Sequence, residues 1–340
     1  MTGSNGKTTT KEMISSCLES RFSVLKNEGT KNNKIGLPLT LLKLDSQYNI
    51  CVVELGTNHF GEIEYLTGIS QPDIGVITNI GPSHLEFLND LKGVFGEKVS
   101  LIKGLNSKGI CLINGDDKFL QRLRKKKNIF TYGLKRSCDL MAEDLNCNGS
   151  FLRFRVCGQN FSLNTSGSYN IYNAMAAIFV GLLFGLSPEK ITHTLKEFEF
   201  PNSRLKLREF GEIKIFDDTY NSSPLSLRFA LETLSRFEGR KIFVMGDMLE
   251  LGRKREEYFH REIVKLIKRA NVDFLISLGQ LAKITALRAK EEKVCREVFI
   301  SDSWKEAKDT LERIIEPKDL ILIKGSRKMQ MEKILEGLRA

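Results

Sequence analysis

Apolar residues along this chain recur with two periods, and the two periods alternate. From Lys7 to Phe22, residues Met13, Ile14, Cys17 and Leu18 fall at helical spacing and predict an amphipathic helix. Contiguous apolar runs then predict buried strands at Asn49–Gly56, from Asp73 into a polar loop ending at His84, at Gly109–Asn114 and at Asn128–Tyr132. Pro38 suits the first turn of a helix behind the exposed pair Asn32-Asn33. Leu85–Leu105 reads as one helix with an apolar stripe of Leu91, Val94, Phe95, Leu101, Ile102 and Leu105. Strands separated by helices are the signature of a parallel α/β sheet. The period changes between residues 138 and 165. Phe151–Val156 alternates and Asn160–Leu163 follows a turn at Gly158, which predicts a small antiparallel meander inserted in the domain. A long apolar helix follows Gly167–Asn173, with Ser168 as its expected cap. Another runs from Ser187 to Phe198, with Ser187 as cap and Pro188 at the first position.

Pro201-Asn202-Ser203 reads as a linker, and beyond it the alternation restarts. Strands are predicted at Lys214–Asp217, Lys241–Met245, Asp273–Leu278, Glu297–Ile300 and Asp319–Lys324. Helices are predicted at Pro224–Phe237, Arg255–Ala270, Gly279–Glu291, Ser303–Ile315 and Lys328–Leu338. The predicted class is therefore α/β. A P-loop-type, mostly parallel sheet domain with a small antiparallel insertion spans 1–202, and a Rossmann-like α/β domain spans 203–340. The second domain has no G-x-G-x-x-G, so dinucleotide binding is not supported.

Composition narrows the function classes. Over 340 residues, 41% hydrophobic and 28% charged content is that of a globular protein. The net charge of +10 is spread along the chain apart from Arg122–Lys127 and Arg253–Arg255, so it points to a polyanionic small substrate and not to nucleic acid. The longest apolar run, Ile178–Leu186, is too short to span a bilayer. The seven cysteines include no C-x-x-C pair, and several lie in apolar strands. Reduced core thiols in a cytoplasmic protein are the expectation.

The chemistry concentrates at the start. Gly3-Ser4-Asn5-Gly6-Lys7-Thr8-Thr9 reads as a phosphate-binding loop opening a helix. Gly3 and Gly6 let amide groups converge on an anion, Lys7 supplies a point charge for the β- and γ-phosphates, and the Thr8 hydroxyl suits Mg²⁺. The strict G-x-x-x-x-G-K-[ST] pattern needs Gly where Met1 stands, so the match is to a shortened variant. A Gly-capped turn before an ordinary helix is the bland alternative. Ligands of parallel sheets bind at the carboxyl ends of strands, where Glu54 and His84 fall. Lys98 lies on the apolar stripe of its helix, where a lysine snorkels, finds a partner or loses its charge. Asn170 and Asn173 lie close to a helix start, where polar side chains cap or face a ligand.

Taken together, these motifs resemble the Mur ligase family. The matching pieces run in the family's order: Thr2–Lys11, Asn32–Leu42, Glu54–His59, Thr78–Glu86, Asp217–Pro224, Gly246–Gly252 and Lys324–Arg327. The branch matched most closely joins D-alanyl-D-alanine to UDP-N-acetylmuramoyl-tripeptide. Folylpolyglutamate- and cyanophycin-type ligases, or an inactive nucleotide-binding fragment, are the alternatives. The resemblance implies ATP-dependent amide formation through an acyl phosphate, in a cytoplasmic monomer. It implies one Mg²⁺ on Thr8 and Glu54, a second on His84, and a carbamylated Lys98 that ligates or positions Mg²⁺. It gives Lys7, His84 and Lys98 catalytic roles and brings Asn170 and Asn173 to adenine. Arg204 would reach the γ-phosphate, and Asp218, Tyr220 and Asn221 would face the nucleotide. Lys324, Ser326 and Arg327 would line the D-alanyl-D-alanine end, and Asn33 would contact the UDP-muramoyl peptide. Turn and cap chemistry is the alternative for Asp218 and Asn221, and a loop turn for Asn33. Tyr169 and Ser203 stand where the family usually has His and Gly. The family also has an N-terminal UDP-binding domain and a strand feeding the phosphate loop. This chain corresponds to the central and C-terminal domains, so the expectation is a loosely held loop and weak or no ligase activity from residues 1–340 alone.

Overall fold

The computed structural model describes residues 1–201, 203–336 and 338. The chain divides into two compact units. The first comprises Met1–Asn164 and Tyr169–Glu199, and the second Thr165–Ser168 and the chain from Phe200 onward.

In the first unit the elements are α1 (Lys7–Glu19), β1 (Val24–Lys26), α2 (Gly36–Leu41), β2 (Ile50–Val52), α3 (Glu62–Ser70), β3 (Ile74–Ile77), α4 (Leu85–Leu88), α5 (Leu91–Lys103), β4 (Ile110–Asn114), β5 (Ile129–Gly133), β6 (Leu140–Asn148), β7 (Phe151–Val156), β8 (Gln159–Leu163), α6 (Asn170–Leu183) and α7 (Pro188–Lys196). Strands β3 to β8 form a six-stranded sheet in sequence order. It is parallel from β3 to β6 and antiparallel from β6 to β8, which is the inserted meander. Strands β1 and β2 pair in parallel beside it. Met1 and Thr2 fill the gap between the two groups. Met1 O accepts from Leu55 N at 2.7 Å, and Thr2 N donates to Val76 O at 2.8 Å. The phosphate loop thus leaves a two-sided backbone pairing, and its start is firmly tied.

The predicted Leu85–Leu105 helix is broken in two. Asn89 adopts φ 64°, and the Asp90 side chain accepts from Lys92 N and Gly93 N to cap α5 afresh. Ser168 does not cap α6. That helix starts behind Tyr169 with no side-chain cap bond. Ser187 does cap α7, accepting from Lys190 N.

The second unit carries β9 (Lys206–Phe210), β10 (Ile213–Asp218), α8 (Pro224–Leu234), β11 (Lys241–Gly246), α9 (Arg253–Arg269), β12 (Phe274–Leu278), α10 (Gln280–Glu291), β13 (Glu297–Ser301), α11 (Trp304–Ile314), β14 (Leu320–Lys324) and α12 (Glu332–Leu335). Its sheet order is β13-β12-β11-β14-β10-β9, parallel except for β9. The predicted five-strand series is present, and β9 adds an antiparallel edge. Ile215, Ile242, Val244, Ile276, Ile321 and Ile323 form the core beneath α11 and α12. The predicted Lys328–Leu338 helix is shorter. Gln330 adopts φ 50°, so a turn at Arg327–Met329 precedes a short α12. Of the predicted linker, Asn202 lies outside the described residues. Among the described residues, no helix is long and apolar enough to cross a membrane.

Candidate active site

The phosphate loop is built by close backbone approach. A Cβ on Gly3 would meet Thr78 Oγ1 at 1.9 Å, and one on Gly6, at φ +82°, would meet Asn173 Oδ1 at 2.5 Å. Only glycine fits either position. The loop is then fastened to the segment after β3. Asn79 clamps the backbone of Asn5, accepting from its N–H at 3.0 Å and donating to its carbonyl at 3.0 Å. The Ser4 hydroxyl donates to Gly81 O at 3.0 Å and accepts from Gly81 N at 2.9 Å. Asp117 holds the same segment by accepting from Ile80 N. This fixes the loop that carries Ser83 and His84, and His84 sits at φ 52° at the start of α4. Lys7 folds over its own loop, with Nζ donating to Gly3 O at 2.9 Å. Thr8 and Thr9 are buried at the start of α1.

Glu54 lies just past β2, 1% exposed. Thr8 Oγ1 donates to its Oε2 at 2.6 Å, and Asn32 Nδ2 to its Oε1 at 2.7 Å. Asn27 clamps the Glu54 backbone as Asn79 clamps Asn5. Its Oδ1 accepts from Glu54 N at 2.9 Å and its Nδ2 donates to Glu54 O at 3.2 Å. The fully buried Lys11 in turn donates to Asn27 O.

Lys98 on α5 is 0% exposed, and its Nζ has no hydrogen-bond partner among the described residues. Snorkelling and a hydrogen-bonded partner are thereby excluded. Burial, aided by the nearby positive Lys7, pushes its pKa well below the usual lysine value, while Glu97 and Glu54 act the other way. Lys7, Thr8, Glu54 and Lys98 therefore share one electrostatic neighbourhood. Glu97 is buried for another reason. It accepts from Thr57 Oγ1, Gly61 N and Ile63 N, closing the amino end of α3.

The donor set suits Mg²⁺. A threonine hydroxyl and a carboxylate are hard oxygens, and Mg²⁺ takes few protein ligands, keeping waters and phosphate oxygens for the rest. That fits the finding that no group of three or more His, Cys, Asp or Glu is arranged for a metal among the described residues.

Asn170 and Asn173 are both buried, and the Asn173 amide faces α1. Asn173 Oδ1 accepts from Thr10 Oγ1 at 3.0 Å, and its Nδ2 donates to Asn170 Oδ1 at 2.8 Å. Asn33 opens α2 as a turn residue, accepting from Ile35 N and Gly36 N, and it is exposed.

The remaining predicted residues belong to the second unit, where they meet one another. Lys324 Nζ, at the end of β14, donates to Asp218 Oδ2 at 2.6 Å and Asn221 O at 2.8 Å. The Arg204 guanidinium lies 4.0 Å from the Tyr220 ring centroid. Ser326 Oγ accepts from Leu249 N at 2.9 Å, and Asn221 Oδ1 faces Arg327 N at 3.4 Å. Ser223, not Asp218 or Asn221, caps α8.

Sequence reasoning did not single out Asn27, Glu97, Asp247 or His260. A carboxamide within two residues of a strand's end, as at Asn27 and Asn79, was the available signal for the two backbone clamps.

Residues 1–181 match the Mur ligase middle domain, and residues 203–327 the Mur ligase, glutamate ligase domain. With a phosphate loop, a carboxylate and a buried lysine on the first of these, the chain belongs to the Mur ligase family. Among its relatives it is similar to the UDP-N-acetylmuramoyl-tripeptide–D-alanyl-D-alanine ligase of Bacillus subtilis, at 36% identity over 99% of this chain and 75% of that protein. Among solved structures it is similar to MurF from Acinetobacter baumannii, with TM-score 0.89, 30% identity, 99% of this chain and 75% of that one. MurF from Thermotoga maritima in complex with ADP gives TM-score 0.88 and 28% identity, over 99% and 78%.

Proposed function

We propose that this chain joins D-alanyl-D-alanine to UDP-N-acetylmuramoyl-tripeptide, forming an amide bond at the expense of ATP in peptidoglycan precursor synthesis. The observation that carries the reading is the Thr8–Glu54 pair set beside the phosphate loop and the buried Lys98, whose Nζ has no hydrogen-bond partner among the described residues.

The tripeptide carboxylate attacks the γ-phosphorus, giving an acyl phosphate and ADP. The dipeptide amine then adds to the acyl carbon, and the tetrahedral adduct expels phosphate. Both steps bring anions together, so the protein's work is positioning and charge stabilisation. Loop amides Gly3–Thr9 and the Lys7 ammonium hold the β- and γ-phosphates. Thr8, Glu54 and His84 would hold Mg²⁺, which when bound shields phosphoryl charge. Neutral Lys98 adds through its nitrogen lone pair to CO₂. A C–N bond forms, a C=O pair moves to oxygen and the nitrogen gives its proton to water, leaving a carbamate that would act as a further oxygen ligand. The turn Asn170–Asn173 braces Gly6 and Thr10 and is assigned to the adenine side.

In the second unit, Arg204, Asp218, Tyr220 and Asn221 are assigned to the nucleotide. Lys324, Ser326 and Arg327 are assigned to the dipeptide end, and Asn33 in the first unit to the UDP-muramoyl peptide. Residues 1–202 and 203–340 are the two domains of this reading, in a cytoplasmic monomer.

The test is phosphate release from ATP. Release that requires both UDP-N-acetylmuramoyl-tripeptide and D-alanyl-D-alanine supports the reading. Release with glutamate on a folate acceptor, and none with these substrates, refutes it.

A further inference from the structure

The segment Gly246–Gly252 is held from two sides. On one side is His260, on the second turn of α9 and 0% exposed. Its Nε2 lies 3.0 Å from Met248 N, and its Nδ1 lies 2.7 Å from Glu256 O. A backbone N–H can only donate, so Nε2 must be the acceptor and the single ring proton sits on Nδ1. Thr285 Oγ1 donates to the His260 carbonyl at 2.8 Å and ties the same turn to α10. On the other side is Ser326. Its N–H donates to Asp247 O at 3.0 Å, and its hydroxyl oxygen accepts from Leu249 N at 2.9 Å. The Asp247 carboxylate accepts from Ala282 N at 2.7 Å and anchors the segment to the start of α10.

One bond thus determines the next. His260 fixes the Met248 amide, which aims the following N–H of Leu249 at Ser326. That N–H occupies a lone pair of the Ser326 oxygen, and the hydroxyl proton is left with one long bond, 3.5 Å to Ser222 O, which a closer acceptor can displace. A weakly held O–H, two residues along the chain from buried Lys324, matches an anionic group such as a carboxylate.

We infer that His260 is a positioning residue for the dipeptide end of the site, acting through Met248 and Leu249 to hold Ser326 as a hydrogen-bond donor to the D-alanyl-D-alanine carboxylate. The inference rests on the assignment of Ser326 to that end.

The test compares His260→Leu, His260→Gln, Ser326→Ala and the His260→Leu/Ser326→Ala double variant, with KM measured separately for each substrate. His260→Leu is expected to raise KM for D-alanyl-D-alanine about tenfold, the loss of one hydrogen bond, and to leave KM for ATP unchanged. His260→Gln keeps an acceptor near the Nε2 position and should recover most of the affinity. The double variant should be no worse than Ser326→Ala alone. An unchanged dipeptide KM in His260→Leu, a parallel rise for every substrate, or additive effects would overturn the inference. If Ser326→Ala itself leaves the dipeptide KM unchanged, the assignment of Ser326 fails, and the inference with it. Should His260→Leu not fold, imidazole nitrogen shifts of the unmutated protein decide: a proton on Nδ1 supports the relay, and a proton on Nε2 overturns it.

Discussion

Thr8 Oγ1 and Glu54 Oε2 lie 2.6 Å apart, and this bond joins the first turn of α1 to the carboxyl end of β2. The other Glu54 oxygen belongs to Asn32, at 2.7 Å. With Asn27 on its backbone, the carboxylate has one orientation before any ligand arrives. Asn32→Ala should therefore lower Mg²⁺ affinity about 10–100-fold, as loss of an outer partner of a metal ligand does. The Mg²⁺ dependence of phosphate release measures it. An unchanged Mg²⁺ midpoint would mean that Asn32 does not orient Glu54.

Lys98 is buried, its Nζ has no hydrogen-bond partner among the described residues, and burial pushes its pKa well below the usual lysine value. Lys98→Ala should cut turnover at least about a hundredfold, the scale of a misplaced reacting group. Formate or acetate should restore part of it by supplying the missing oxygens. Full activity in Lys98→Ala would remove the lysine from the mechanism.

Lys324 is 1% exposed, and its ion pair with Asp218 spans 2.6 Å. Among the described residues, Lys324→Met leaves Asp218 its bond from Leu205 N at 3.1 Å and a buried charge unpaired. Removing one partner of such a pair costs about 3–5 kcal/mol. Denaturant unfolding should show this loss, and Lys324→Met with Asp218→Asn should recover much of it. Equal stability of single and double variants would contradict a coupled pair.

Burial lowers the His260 pKa from 6.5 to about 4. Between these values the unfolded chain binds a proton that the folded chain does not, so stability is complete above pH 6.5 and declines as pH falls toward 4. The decline is about 3 kcal/mol in all. Urea unfolding of the unmutated protein and of His260→Gln across this window should differ in slope. Parallel curves would show that His260 titrates normally.

The alternation of strands and helices was legible because each strand is a short apolar run between polar turns. The phosphate loop was legible because its glycines and Lys7 are contiguous. Less visible were features set by distant partners. The break at Asn89-Asp90 falls inside a continuous apolar stripe, and only the φ of Asn89 and the cap at Asp90 reveal it. Strand β9 is a half-exposed edge with no strong alternation. Glu97 resembles a solvated residue next to Lys98, yet Gly61 and Ile63, far back in the chain, bury it. His260 lies on a strongly charged helix, and nothing nearby in sequence predicts that it faces Met248. For Lys98 the stripe posed the question, and only the three-dimensional surroundings excluded snorkelling and a hydrogen-bonded partner.

The central claim is that ATP activates a peptide carboxylate. The most direct measurement uses UDP-N-acetylmuramoyl-tripeptide carrying heavy oxygen in its terminal carboxylate, with ATP and D-alanyl-D-alanine, and mass spectrometry of the released phosphate. The account predicts one labelled oxygen in each phosphate, because the acyl phosphate passes its bridging oxygen to phosphorus. Amide product accompanied by unlabelled phosphate would contradict it.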